Sequence, residues 1–378
     1  MTLNILKNNN IDFFHAASEN PGVINMSGNN SLCDYPLGID LAAKLKKNIK
    51  YKPEQEYYYG LPALREKVAF NISSLYGHQY CPDKEVSISA GTNQLFYAAI
   101  TSLVNEGDEV IIFEPGNEFY LPVILLNGVR PVYISLKEPD FHIDWEEVTR
   151  MINSNTRMII LNTPHNPTGM TLSELDMLRL QKIITGTRIV VLSDERFEHI
   201  ISDKESHQSV ALYPKLVEKS ILISSFNETY HVPDWNIAYC AASLELMKEI
   251  RRVLLFMNPG VYIPFQQVLA PIKDDKPAIS EIGKFYQERK EYFSRLMESE
   301  TRFKPVESKG TFFQLYDYKQ ISDENDIVFA KKMLNEIGVS VVPLSSFMHE
   351  KSRKHLLRFN FARHNNILDE VVKKLSKL

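Results

Sequence analysis

The sequence predicts an α/β protein, with a mostly parallel sheet in a large domain and a smaller α+β domain after it. Three observations carry this. At 378 residues the chain is too long for one small core. Up to residue 226, short runs of β-branched and apolar residues alternate with segments of helical apolar spacing. From about Asp274 one long charged helix is followed by strands around a helix. Strands that are apolar throughout lie in sheets covered on both faces, and those are mostly parallel.

Taken in order, "EVSISA" (85–90) reads as a strand and "TNQLFYAAITSLV" (92–104) as a helix. "DEVIIF" (108–113) is a strand, "EFYLPVILLNG" is helical, and "VRPVYISL" and "TRMIILN" (156–162) are strands. "SELDMLRLQKIITG" (173–186) predicts a helix capped by Ser173, whose hydroxyl can accept from a free N–H of the first turn. "TRIVVLSD" (187–194) and "SILISSF" (220–226) complete the series. Beyond it, "PAISEIGKFYQERKEYFSRLMESE" is a helix. "GTFFQLYDY", "GVSVVPLS" and "HLLRFNFAR" are strands, with the helix "DENDIVFAKKMLNEIG" between the first two.

The chain holds 43 basic and 47 acidic residues, a net charge of −4. That balance argues against a nucleic-acid or anionic-membrane partner. Cys33, Cys81 and Cys240 are widely spaced, with no metal-ligand pattern, and read as thiols in a reducing compartment. The first residues lack a signal-peptide core, and no apolar run approaches the ~20 residues needed to span a bilayer. The expected location is the cytoplasm.

Ligands of parallel sheets bind beyond the carboxyl ends of the strands, so the residues just after each run are the candidates. Gly91, Thr92 and Asn93 open a helix, where free N–H groups and the helix dipole favour an anion; a glycine there also serves packing alone. Asn162, His165 and Asn166 lie in the turn "TPHNPTG", made rigid by two prolines. Asp194 follows a buried strand and needs a partner, either a cationic group or a helix N-terminus. Arg358 lies between apolar strand residues and calls for a carboxylate, from the protein or from a ligand.

The segments "YYYGLPALREKVA", "AGTNQLFYAAITSLVNEGDEVIIFEPGNEFY", "NTPHNPTG", "SDERFEHI" and "LLRFNFAR" stand in an order and spacing that resembles the class I/II aminotransferases, the fold type I enzymes of pyridoxal phosphate. The methionine and kynurenine aminotransferases are the most similar in look. The resemblance covers nearly the whole chain. It implies a homodimer, a large domain over 32–273, and a small domain made of 1–31 and 274–378. It also implies an amino-acid substrate. Gly91, Thr92, Asn93 and Ser225 would hold the cofactor phosphate. Asn166 would meet the ring oxygen, Asp194 the pyridine nitrogen, and Arg358 the substrate carboxylate.

Four positions depart from that pattern, and a fifth, at Gln55, is left open by nearby tyrosines. After the "SSF" strand the family reads Ser-Phe-Gly/Ser-Lys-Thr, and its lysine forms an imine with the cofactor. Aligned without gaps, that position is Glu228, and a carboxylate forms no imine. Asn236 in "DWNIAY" replaces the family's phosphate-binding cation, a loss of about 1.5–3 kcal/mol of charge-assisted hydrogen bonding. Phe197 replaces the tyrosine of Asp-Glu-x-Tyr, and Asn117 replaces the ring-stacking aromatic. Gln55 stands where a phosphate-binding tyrosine is expected, with Tyr57, Tyr58 and Tyr59 nearby.

Together these changes weaken the grip on pyridoxal phosphate or abolish it. With one fewer cation, Asp194 and Glu228 would form an acid pair suited to an amine. The expected function is a homologue that does no ordinary transamination and binds an amino acid or related zwitterion directly. It would act as a pseudoenzyme or, with Glu228 as general base, by altered acid–base chemistry. The alternative is an active aminotransferase-like enzyme holding pyridoxal or pyridoxamine phosphate non-covalently, with His231, Lys215 or Lys219 shuttling a proton. A third reading, a structural or interaction protein, has no specific support in the sequence.

Overall fold

The computed structural model describes residues 20–33, 40–48, 57–202, 205–258, 260–272, 276–350 and 354–378. Residues 1–19 and Gln55 therefore lie outside the described residues, as does the boundary expected at 273/274.

The larger sheet has seven strands: β1 Val86–Ser89, β2 Glu109–Glu114, β3 Arg130–Ser135, β4 Thr156–Asn162, β5 Val190–Asp194, β6 Ser220–Ser225 and β7 Ala238–Ala242. Their order is β1-β7-β6-β5-β4-β2-β3. The pairs β6–β5, β5–β4, β4–β2 and β2–β3 are parallel, whereas β7 is antiparallel to both neighbours. Alternate residues of β4 serve opposite faces, as the two-residue period requires. Ile159 and Leu161 join one apolar cluster, Met158 and Ile160 the other. This two-sided burial is what the unbroken apolar runs anticipate.

Register sets the site. Asn162 is opposite Asp194, and Ser225 is opposite Ala238, so three strands end together at the carboxyl edge. Helix α1, Thr92–Leu103, starts at that edge after β1. Gly91 makes this entry possible, because its φ of +82° is a conformation that a side chain would strain. Ser173 caps α2, Glu174–Ile184, in a reciprocal pair with Asp176, as the sequence predicts. The short helix α3, Phe226–Tyr230, follows β6 and is capped by Ser225, whose Oγ accepts from the Asn227 N–H at 3.1 Å.

The second sheet is antiparallel. Its strands are β8 Lys304–Pro305, β9 Phe313–Asp317, β10 Val342–Pro343 and β11 Leu356–Asn360, in the order β10-β11-β9-β8. The long helix α4, Lys276–Glu300, belongs with it, and Phe293, Phe303, Phe313 and Phe359 share one core. Met26 and Cys33 pack into the same cluster, as do Phe197 and Ile200 from the loop after β5.

Two expected elements come out differently. "GVSVVPLS" is not one strand. Val339–Ser340 pairs with Ile24–Asn25, and Val342–Pro343 pairs with β11, so the segment divides between two sheets. The helix expected over 323–338 is α-helical only over Asp326–Lys332 and ends in a wider turn over Met333–Ile337.

Candidate functional site

Asp194 ends β5 with its side chain fully buried. A carboxylate there must be paired, and the partners are local. Tyr120 Oη donates to Oδ2 at 2.6 Å. Arg196, two residues on, donates from Nη2 to Oδ2 at 2.9 Å and from Nε to both oxygens at 3.1 and 3.2 Å. Such bidentate, charge-assisted contacts are the strong kind. Burial opposes the charge on Arg196, yet Asp194 more than offsets it, helped by Tyr120 and Glu228, so the guanidinium is held above its ordinary pKa.

Arg196 is the residue that the sequence reading passed over. It sits inside "DERFEHI", where only the acids draw attention. The available signal is its spacing, since an Arg two residues after a buried strand-end Asp can fold back onto it. The expected acid pair of Asp194 and Glu228 is therefore corrected: a cation accompanies it, and Asp194 is neutralised by Arg196.

Glu228 lies in the first turn of α3. Burial raises its pKa, Arg196 and hydrogen bonds from Ser225 and the backbone oppose the rise, and Asp194 adds to it. Its Oε2 is buried without a hydrogen-bond partner among the described residues. Asn117 is buried, and its Oδ1 accepts from the Phe119 N–H at 3.1 Å. Burial, then the Asp194 charge, raises the Tyr120 pKa, so the phenol stays protonated and donates. Tyr120, Asp194 and Arg196 thus form one polar chain, with Asn117 and the charge of Glu228 beside it.

Arg358 on β11 is fully buried. Its Nη1 donates to Asn166 Oδ1 at 2.8 Å, and its Nη2 to Ser27 O at 2.7 Å and Asn29 Oδ1 at 2.9 Å. Its Nε has no partner, and no carboxylate among the described residues lies within ion-pair distance. Burial, partly countered by Glu118, lowers its pKa to about 10, so it stays charged at neutral pH. Asn166 takes its place because its N–H donates to Asn162 Oδ1 at 2.8 Å, while Asn162 Nδ2 donates to Asp194 O at 3.1 Å. Arg358 is so tied to the end of β5.

The residues expected around a phosphate are less alike. Gly91 and Thr92 are buried and Asn93 is exposed. Asn236 is exposed with φ +49°, and its Nδ2 lies 3.4 Å from Ala90 O. A methyl group added at Gly91 would overlap the Asn236 side-chain amide, so that amide covers the glycine at the start of α1. Phe197 is a packing residue, edge-on to Phe312 and Phe313 at 5.2 and 5.8 Å.

The shuttle candidates lie elsewhere. Lys219 precedes β6, at the opposite end from Glu228, and donates to Thr187 O at 2.6 Å. Lys215 is exposed on the turn before it. His231 Nε2 is 3.0 Å from the Tyr286 hydroxyl, and burial, then Arg289, lowers its pKa to about 4.

A family model described as aminotransferase class I and II matches residues 23–375. Methionine aminotransferase of Escherichia coli (strain K12) is 35% identical over 320 residues, covering 84% of this chain and 83% of that protein. The kynurenine–oxoglutarate transaminase of Dictyostelium discoideum is 28% identical, covering 81% of this chain and 79% of that protein. The crystal structure of Escherichia coli YbdL, identified as having a methionine aminotransferase function, superposes with a TM-score of 0.91 at 32% identity over 100% of both chains. No helix among the described residues is long and apolar enough to cross a membrane. Members of the matched family depend on pyridoxal phosphate and share the fold type I architecture. With nearly its full length matched, this chain belongs to the class I and II aminotransferase family.

Proposed function

We propose that the site has exchanged coenzyme capture for the direct binding of an amino acid or related zwitterion. The carrying observation is the pair of unmatched buried groups: Glu228 Oε2 without a partner, and Arg358 Nε without one. A buried guanidinium with no carboxylate beside it favours an anionic guest, and a buried carboxylate oxygen favours an N–H donor. One ligand with a carboxylate and an ammonium answers both.

The residues do not fit pyridoxal phosphate. Glu228, at the position that aligns with the family's lysine, supplies no amine for an imine. Asp194 already has its oxygens engaged by Arg196 and Tyr120, so a pyridinium would have to displace a bidentate guanidinium. Asn236 brings no cation to a phosphate and covers Gly91. On this reading the chain is a non-transaminating homologue, a homodimer like its relatives, at work in the cytoplasm. Glu228 either fixes the ligand's ammonium or, deprotonated, removes a proton from the bound ligand.

Calorimetry with a panel of amino acids tests the binding. The expected result is millimolar or tighter affinity for at least one, lost in Arg358→Ala. Transamination by the wild-type protein with added coenzyme would defeat the proposal. Glu228→Gln then separates the two roles: a bound ligand consumed by wild type but left intact by the variant identifies Glu228 as a base.

A further inference from the structure

The geometry points to a ligand with a second cationic group, a diamino or guanidino acid, whose side-chain cation is received by Glu118. This rests on the zwitterion reading and narrows it. A cavity of about 380 Å³ lies between the end of β2, the helix Tyr120–Leu126 and the loop over 345–350. That is within the ~300–1,000 Å³ range of small-molecule sites. Asn117, Tyr120 and Phe347 belong to its wall, so it adjoins the polar chain of the site and the Phe347 ring beneath Arg358.

Two buried polar atoms of this wall are unmatched. Glu118 is 8% exposed; its Oε1 accepts from Asn29 Nδ2 at 3.0 Å, and its Oε2 has no partner among the described residues. Ser346 is 8% exposed, and its Oγ has no partner either. Glu114, the neighbouring acid, is not comparable. His349 occupies both its oxygens, from the N–H at 2.7 Å and from Nδ1 at 2.5 Å. The His349 ring stacks on Tyr133 at 3.8 Å.

One amide joins this subsite to the carboxylate site. Asn29 donates to Glu118 and accepts from Arg358 Nη2, while Arg358 Nη1 leads through Asn166 and Asn162 to Asp194 and its Arg196–Glu228 neighbours. Without ligand, Glu118 is the acid whose charge supports Arg358. A ligand carboxylate on Arg358 leaves two negative groups around one guanidinium. A second cation at Glu118 restores the balance, and Ser346 Oγ offers it another acceptor.

The test is calorimetry on the full chain with L-lysine, L-ornithine, L-arginine and L-norleucine, the last matching lysine without its terminal charge. We expect at least one basic amino acid to bind about tenfold or more tighter than norleucine. Glu118→Gln should equalise them, and Glu118→Asp should restore part of the preference. A melting curve on each variant confirms that it is folded. Norleucine binding as tightly as the basic ligands overturns the inference while leaving the zwitterion reading standing. So does a preference that survives in Glu118→Gln. If no amino acid binds at all, the underlying reading falls, and this one with it.

Discussion

The guanidinium of Arg196 and the carboxylate of Asp194 form a buried fork, with Nη2 at 2.9 Å from Oδ2 and Nε at 3.1 Å from Oδ1. The acid that ends the fifth strand is thereby satisfied from within the chain, two residues away. On the reading proposed above, this pair is a barrier to a pyridinium at Asp194, separate from the lack of an amine at Glu228.

The barrier is measurable. Glu228→Lys supplies an amine but leaves Arg196 on Asp194, and we predict that it captures little pyridoxal phosphate. Glu228→Lys combined with Arg196→Ala should capture it as an imine, seen by its absorbance and by the mass of the borohydride-reduced adduct. Arg196→Ala alone removes one partner of a buried pair, which costs about 3–5 kcal/mol. In the double variant, added coenzyme should return part of that as a rise in Tm. Equal capture by the single and double variants would show that Arg196 is no barrier.

Glu228 has a raised pKa, with burial the leading cause. A carboxyl whose folded pKa exceeds its unfolded one favours folding only while protonated, and that advantage is lost as pH rises through the folded pKa. Glu228→Gln should therefore be more stable than wild type at neutral and alkaline pH. The gap should close on acidification toward the ordinary carboxylate range. Parallel Tm-against-pH curves for the two proteins check this, and a gap that widens toward acid pH refutes it.

Tyr120→Phe removes one donor from Asp194 and leaves the Arg196 fork in place. A hydrogen bond to a charged group contributes about 1.5–3 kcal/mol, so urea denaturation should register a loss in that range. Asn117 also acts on this hydroxyl, opposing the rise in its pKa. A double-mutant cycle of Tyr120→Phe with Asn117→Ala should therefore be non-additive. Strict additivity would mean that the two side chains are not coupled.

Much of this was legible in the sequence. Unbroken apolar runs announced buried parallel strands, and residues placed just beyond them, such as Asn162, Asp194 and Ser225, do share one edge. Strand β7 escaped because "AYCAA" is short and poor in branched residues, and one of its two antiparallel neighbours, Val86–Ser89, is far along the chain. Arg196 and Glu118 escaped for another reason. Each is an ordinary charged residue in a loop, and its meaning comes from contacts across 2 or 89 positions of sequence. Phe197 was placed by motif, but its role follows from Phe312 and Phe313, which only the folded chain brings near.

His165 predicts the acid limb of stability. It is buried in the turn after β4, with Nδ1 2.8 Å from Thr168 Oγ1. Burial lowers its pKa to about 3, against a weaker upward pull from Asp194. A group whose folded pKa is depressed contributes stability that is complete above its unfolded pKa and is lost as pH falls through the folded one. The window therefore runs from about pH 6.5 down to about pH 3, and the full effect is on the order of a few kcal/mol. His165→Asn cannot titrate there. It should be less stable than wild type near neutral pH, by about 1–2 kcal/mol for the disturbed hydrogen bond and packing, and should lose less stability on acidification. Urea midpoints for both proteins should converge as pH falls toward about 5 and cross below it, as the histidine's contribution drains away. Parallel curves across that range would mean that His165 takes up its proton as readily in the folded protein as in the unfolded one, contrary to its burial.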